Sequence, residues 1–311
     1  MIKEMKANTE YKGFLLVRKM DEKKTKKGET YLDMTLSDKT GDIEAKKWNA
    51  SLAQFQKVKI MPGTLCYVIG SIAAYNDQLQ MVIENIRIAT DKDGQKIEDY
   101  IKTAPMTQKE MMDVIRNYAG KISNVDIKQI LVKIVAEYKE ALSYYPAAMK
   151  NHHAMHGGLL YHTVRMLKLA EASTQIYPDL NQDLLYAGII LHDIEKINEM
   201  IADQQGVVSD YSKEGKLLGH LTMGVIKIAQ VGESVGASKE AILNLQHIVL
   251  SHHGQRDWGS PILPATQEAI CIHHLDNLDA KMQMCEEITV DKGQFSEKSY
   301  ALQTQLYKPE L

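Results

Sequence analysis

All eleven histidines of this 311-residue chain fall between His152 and His274. Histidine confined in this way points to metal ligation or acid–base chemistry, because imidazole offers a nitrogen lone pair and titrates near neutral pH. Five short segments hold the main candidates: GLLYHT at 158–163, LHDIEK at 191–196, LLGH at 217–220, LSHHG at 250–254 and HHLDNLD at 273–279. The polar residues sit in apolar runs, as where Ala187-Gly188-Ile189-Ile190-Leu191 precedes His192-Asp193. An ionised carboxylate buried beside imidazoles is costly without a partner, and a metal ion is such a partner.

His162, His192, Asp193 and Asp276 are the candidate shell of one ion. Asp193 can bridge to a second ion held by His220, His252 and His253. This mixed set suits Mn, Fe, Co or Zn better than an all-oxygen cage for Mg or Ca. One or two such ions would lower the pKa of a bound water and stabilise both oxygens of an in-line displacement at phosphorus. Lys196 lies three residues after Asp193, one helical turn on, and is placed to meet a phosphate's charge. Asp193 and Lys196 are therefore the catalytic candidates. His152, His153 and His156 precede Gly157-Gly158 and either touch substrate or begin a helix in solvent. In the pairs 252–253 and 273–274, one member can simply pack or cap. The bland alternative, a core of satisfied histidines, must explain five such segments at once.

These residues need elements that bring them together. From His162 through His192, His220 and His252 to Asp276 the separations are 30, 28, 32 and 24 residues. That suits one ligand-bearing segment per successive helix of a bundle. Apolar residues at helical spacing support this, as Ile127, Ile130, Leu131, Ile134, Val135 and Tyr138 do. Further helices are predicted around 158–176, 182–199, 216–231, 238–252 and 264–286, so that 106–287 reads as almost wholly helical. The front of the chain has a different period. Leu32, Met34 and Leu36 alternate with polar residues, a turn follows at 38–42, and Ile43 to Trp48 resumes the alternation. Leu65 to Gly70 leads through Asn76-Asp77 to Leu79–Ile83, which together predict a small closed barrel. Residues 91–105 are polar and end at Pro105, the expected linker. The boundaries are thus a barrel at 1–90, a linker at 91–105, a helical domain at 106–290 and a tail at 291–311.

Residues 1–90 carry 15 Lys+Arg against 11 Asp+Glu, leaving 22 against 29 for the remainder. A basic front suits nucleic acid. There Tyr31, Trp48 and Tyr75 are candidate platforms for stacking bases, with Lys12, Lys46 and Lys47 tracking phosphate. No run of about 18 apolar residues suggests a membrane span, and the polar start lacks a secretory pattern. Three widely spaced cysteines read as free thiols in a reducing cytoplasm.

The order of His162, His192-Asp193 and Asp276, set in GGLLYHT, LHDIEK, LLGH, LSHHG and HHLDNLDAKM, resembles the HD-superfamily phosphohydrolases. With the barrel in front, it is similar to the YhaM-type 3′→5′ exoribonucleases over nearly the whole chain. That resemblance implies a multidomain protein: a small all-β OB-fold barrel followed by an all-α HD-domain helical bundle. It further implies divalent-metal-dependent removal of nucleotides from single-stranded RNA, with Mn the expected ion and Fe, Co, Zn or Mg the alternatives. Single-stranded DNA is a second candidate partner, and a homo-oligomer is left open. Two positions depart from the family pattern: Glu195 stands where Gly is usual, and Tyr161 where Glu is usual. Glu195 could crowd the mouth, add a ligand or face solvent. Two other readings compete: a small-nucleotide phosphohydrolase, and a nucleic-acid-binding module with an inactive HD centre.

Overall fold

Along much of β2 (Thr30–Asp38), β3 (Gly41–Trp48) and β5 (Gln78–Ile88) alternate side chains turn inward. Leu32, Met34 and Leu36 of β2, Ile43 and Ala45 of β3 and Met81 and Ile83 of β5 are buried together. With β1 (Thr9–Lys24) and β4 (Leu65–Tyr75) they close a barrel in the order β1-β2-β3-β5-β4. The pairing is antiparallel except between β3 and β5. The 16-residue β1 serves two neighbours: Thr9–Leu16 pairs with β4 and Leu16–Lys24 with β2, with a register shift between Val17 and Lys19. Such a bulge bends a strand, which a closed barrel requires. The β2–β3 turn is held by Asp38, whose Oδ1 accepts from Thr40 N. A short α1 (Leu52–Lys57), capped by Ser51, was not foreseen.

This computed structural model describes residues 1–311 except Lys26, Asn76, Asp77, Lys150, Asn151 and His152. The expected turn at Asn76-Asp77 lies outside the described residues. The chain divides into two units, Met1–Thr103 with Ala202–Ser209, and Ala104–Ile201 with Asp210–Leu311. Most of the expected linker at 91–105 falls within the first of these units. Arg87 grips Asp93 through two 2.8 Å hydrogen bonds, and the Tyr100 ring stands 6.4 Å from that of Phe14. These contacts tie the polar segment down.

The second unit is built on helices α2 (Gln108–Lys121), α3 (Val125–Tyr138), α4 (Gly158–Ile176), α5 (Gln182–Leu191), α6 (Lys196–Glu199), α7 (Lys213–Val235), α8 (Lys239–Ser251) and α9 (Gln267–Glu287). Side-chain caps at Thr107, Asn124, Asn181, Ser212, Ser238 and Thr266 satisfy first-turn N–H groups and fix where six of them start. Two expectations fail. The helix predicted over 182–199 breaks at His192–Glu195, and a hairpin of β6 (Met200–Ala202) and β7 (Val208–Tyr211) interrupts the helical region. Gly188 lets α5 approach its neighbours: a Cβ there would lie 2.7 Å from Ile272 Cδ1 and 2.8 Å from Ile248 Cγ2. This close approach brings the end of α5 beside α8 and α9. Gly219, at φ 70° and ψ 157°, kinks α7 one residue before His220.

Candidate metal centre and nucleic-acid face

Helices α5 and α8 end in the same way. In the last turn of a helix the carbonyls lack N–H partners. His192 Nδ1 donates to Ile189 O at 2.7 Å, and His252 Nδ1 donates to Val249 O at 2.7 Å. His220, after the kink, places Nδ1 3.0 Å from Glu199 Oε1. His162 on α4 places Nδ1 2.7 Å from Asp279 Oδ2, and His253 donates Nδ1 to Trp258 O at 2.8 Å. With Nδ1 engaged in each case, Nε2 is the nitrogen left free to meet a metal.

The Nε2 atoms converge on two carboxylates. Those of His192 and His220 lie 3.3 Å from Asp193, that of His252 lies 3.5 Å from it, and that of His162 lies 3.2 Å from Asp276. Nε2 of His192, His220 and His252, and Asp193 Oδ1, are buried without a hydrogen-bond partner among the described residues. Each such atom costs about 1–3 kcal/mol. Four of them facing one another fit a cation, and nitrogen and carboxylate donors fit a first-row divalent ion. Donor groups within 4.8 Å of one another form overlapping sets: His162, His192 and Asp193; His192, His252 and Asp276; and His220, His252 and His253. The sequence-predicted ligands are thus brought together, with room for one ion or two.

The electrostatics favour ligation at Asp193 and His252, whereas His162 without an ion keeps a proton that a metal would displace. Burial works against charge on Asp193, yet Lys196 and His192 hold its carboxyl well below the usual range. Burial pushes His252 down to about 3, so it is neutral and ready to ligate. For His162, burial lowers the value, but Asp276 and Asp279 outweigh it and raise it to about 9. Lys196 Nζ donates to Asp193 Oδ2 at 2.7 Å and lines a cavity of about 460 Å³ that also meets His253 and Asp276.

His153 requires a correction. Expected to touch substrate, it has no exposed surface and places Nε2 2.7 Å from Asp279 Oδ2. His152, expected in the same role, lies outside the described residues. Asp279 itself was missed: its Oδ2 holds both His153 and His162, and its Oδ1 accepts from Arg165 Nε. Arg165 also reaches Glu286 at 2.9 Å. Asp279 is one turn beyond Asp276 on α9, so the i,i+3 spacing was the available signal. Glu199, which accepts from His220 N at 3.0 Å, was also missed. His273 is buried, with Nδ1 3.0 Å from His252 O, and His274 is exposed.

On the barrel, β2 and β3 put Tyr31 opposite Trp48. Their ring centroids are 4.8 Å apart, and Trp48 is 42% exposed. Lys46 Nζ lies 5.7–5.8 Å from the ring centroids of Tyr31, Trp48 and Tyr75. The structure thus gathers these four residues into one basic aromatic patch. Lys47 takes the other strand face and donates to Glu84 O, and Lys12 pairs with Glu10.

Comparison with known proteins matches this layout. An HD domain model matches residues 159–281, an OB-fold nucleic acid binding domain model matches 16–89, and a helicase family's model matches 98–180. The 3′-5′ exoribonuclease YhaM of Geobacillus sp. (strain WCH70) is 42% identical over 95% of this chain and 91% of its own length. That of Bacillus subtilis (strain 168) is 39% identical over 95% of this chain and 94% of its own. The chain belongs to the YhaM 3′-5′ exoribonuclease family. No helix among the described residues is long and apolar enough to cross a membrane.

The two departures from the YhaM pattern have structural roles. Glu195 does none of the three things foreseen for it. It is 3% exposed, with Oε1 accepting from Tyr138 OH at 2.7 Å and Oε2 accepting from Asn198 Nδ2 at 2.8 Å. Tyr161 is half-buried, edge-on to His153 with centroids 5.6 Å apart, and the Arg165 guanidinium lies 5.6 Å from its ring centroid.

Proposed function

We propose that this chain removes 5′-mononucleotides stepwise from the 3′ end of single-stranded RNA, using a Mn-loaded HD centre. The observation that carries the reading is the set of buried ligand atoms around Asp193 that have no hydrogen-bond partner among the described residues. His162, His192, Asp193 and Asp276 would hold one ion, and His220, His252 and His253 a second. Bound there, a divalent ion supplies Lewis acidity and a water of lowered pKa. The chain's own groups do the rest. Glu199 and Asp279 orient His220 and His162. Lys196, charged and beside Asp193, shares its charge with the phosphoryl oxygens as negative charge grows on them.

The OB barrel binds single-stranded nucleic acid, and Tyr31, Trp48 and Lys46 would stack upstream bases and meet a phosphate. Duplex ends are then poor substrates, because pairing hides the base faces this patch engages. We assign RNA over DNA from the family's named activity, a cytoplasmic setting from the substrate, and a division of labour between residues 1–90 and 106–290. Single-stranded RNA labelled at each end in turn tests the reading. A ladder of shortening 5′-labelled chains and immediate release of 3′ label as mononucleotide are expected with Mn. Immediate release of the 5′ label, or cuts in a circular strand, would refute it.

A further inference from the structure

Part of the lining of the cavity beside Asp193 and Lys196 is apolar and is not used by the metal centre. Trp258, Ala280, Met284 and Leu302 belong to that part. Leu302 comes from the 291–311 segment, which forms a hairpin. Ser296 N donates to Leu306 O at 2.7 Å, Ser299 N donates to Thr304 O at 2.9 Å, and the Phe295 and Tyr307 rings stand 4.9 Å apart. At its tip Gln303 adopts a left-handed backbone, φ 58°, and lines the same cavity. A non-glycine residue held there marks a turn that its surroundings impose.

We propose that this apolar part of the lining is the subsite for the terminal nucleoside, with Trp258 and Leu302 holding the base while the scissile phosphodiester lies against Asp193, Lys196 and Asp276. The proposal rests on the 3′-end reading above and deepens it. The lining combines charged groups that a phosphodiester needs with an aromatic ring and aliphatic groups, which suit a base, and His273 and Lys281 also belong to it. Gln303 and Asn277 add polar groups that can meet the edge of the base or the ribose. A volume of about 460 Å³ is that of a small-molecule site, about 300–1,000 Å³, and suits one nucleotide rather than a duplex end. Sequence reading found nothing in residues 291–311, because the segment shows no period and acts through its tip alone.

The test compares two full-length RNA substrates that differ only at the 3′-terminal residue, one with its base and one abasic. Trp258→Ala and Leu302→Gly are each expected to lower kcat/KM about tenfold on the normal strand and less than twofold on the abasic one. Tenfold is within what one stacked base contributes. Equal penalties on both strands would overturn the proposal, since a structural role moves both alike, and so would no penalty on either. A second readout does not need turnover. In a Trp48→Phe background Trp258 is the sole tryptophan, and 5′-AMP should quench its fluorescence saturably where ribose 5-phosphate does not. Equal quenching by both, or by neither, overturns the subsite. Quenching by 5′-AMP in a protein that releases nothing from 3′ ends would instead sink the exonuclease reading and leave the subsite standing.

Discussion

Replacing Asp279 by Asn separates the positioning of His162 from ligation itself. The carboxylate makes two 2.7 Å contacts to imidazoles and one to the Arg165 guanidinium. Asn keeps the shape and one oxygen but loses the charge, and its NH₂ faces a partner that wants an acceptor. Hydrogen bonds to charged groups contribute about 1.5–3 kcal/mol each, so loss of one predicts about 2 kcal/mol of folding stability. Arg165 keeps Glu286, so the guanidinium is not left alone. The effect on metal should be separate. Altering the partner of a ligating histidine costs about 10–100-fold in affinity, or about 1.4–2.8 kcal/mol. Mn affinity, measured by competition with a chelating dye, and urea unfolding of the metal-free protein read the two quantities apart. Glu286→Gln, which removes only an outer and half-exposed contact, should change both by less than about 1 kcal/mol. If Asp279→Asn unfolds as expected yet binds Mn within twofold of the parent, His162 does not depend on this carboxylate and the reasoning fails.

Other substitutions probe other parts of the chain. Asp193→Ala should abolish both Mn binding and RNA hydrolysis, and retention of either in full would show the site to be misassigned. Glu195→Gly should cost about 1–3 kcal/mol by thermal melting, because Tyr138 OH loses its carboxylate partner; Mn content should stay unchanged. Trp48→Ala should raise KM on long single strands by the stacking of one base, about 1–3 kcal/mol, without changing Mn content. Asp183 is opposed by burial, yet N–H donors from Ser123 and Asn124 hold its carboxyl below the ordinary range. Its contribution is therefore complete above the unfolded value of about 3.9 and is lost as pH falls through the depressed folded value. Asp183→Asn should cost about 1–2 kcal/mol at pH 7 in urea titrations, and the gap from the parent should close in acid.

What was legible in the sequence was what repeats along one element or recurs in a motif. The alternation of Leu32, Met34 and Leu36 and the stripe from Ile127 to Tyr138 each depend on one strand or one helix, so period alone revealed them. His162, His192, Asp193, His220, His252 and Asp276 stood out because each is a polar residue set in an apolar stretch, where it must have a partner. The break at His192–Glu195 was hidden for the same reason that it works. The run from Gln182 onward is apolar enough to continue as a helix, but at its end Ile189 O accepts from the imidazole and the chain turns through His192–Glu195. Residues that act across elements left no local trace. Asp279 on α9 reaches two histidines and an arginine more than 110 positions away, and Glu199 reaches His220 across the β6–β7 hairpin. His153 misled because its position just before a glycine pair suggests an exposed helix entry, whereas Asp279 draws it fully inside. The candidate ligands are therefore readable one at a time, but the network that aims them exists only once the helices pack. Substitutions in that network should change affinity and stability by different amounts.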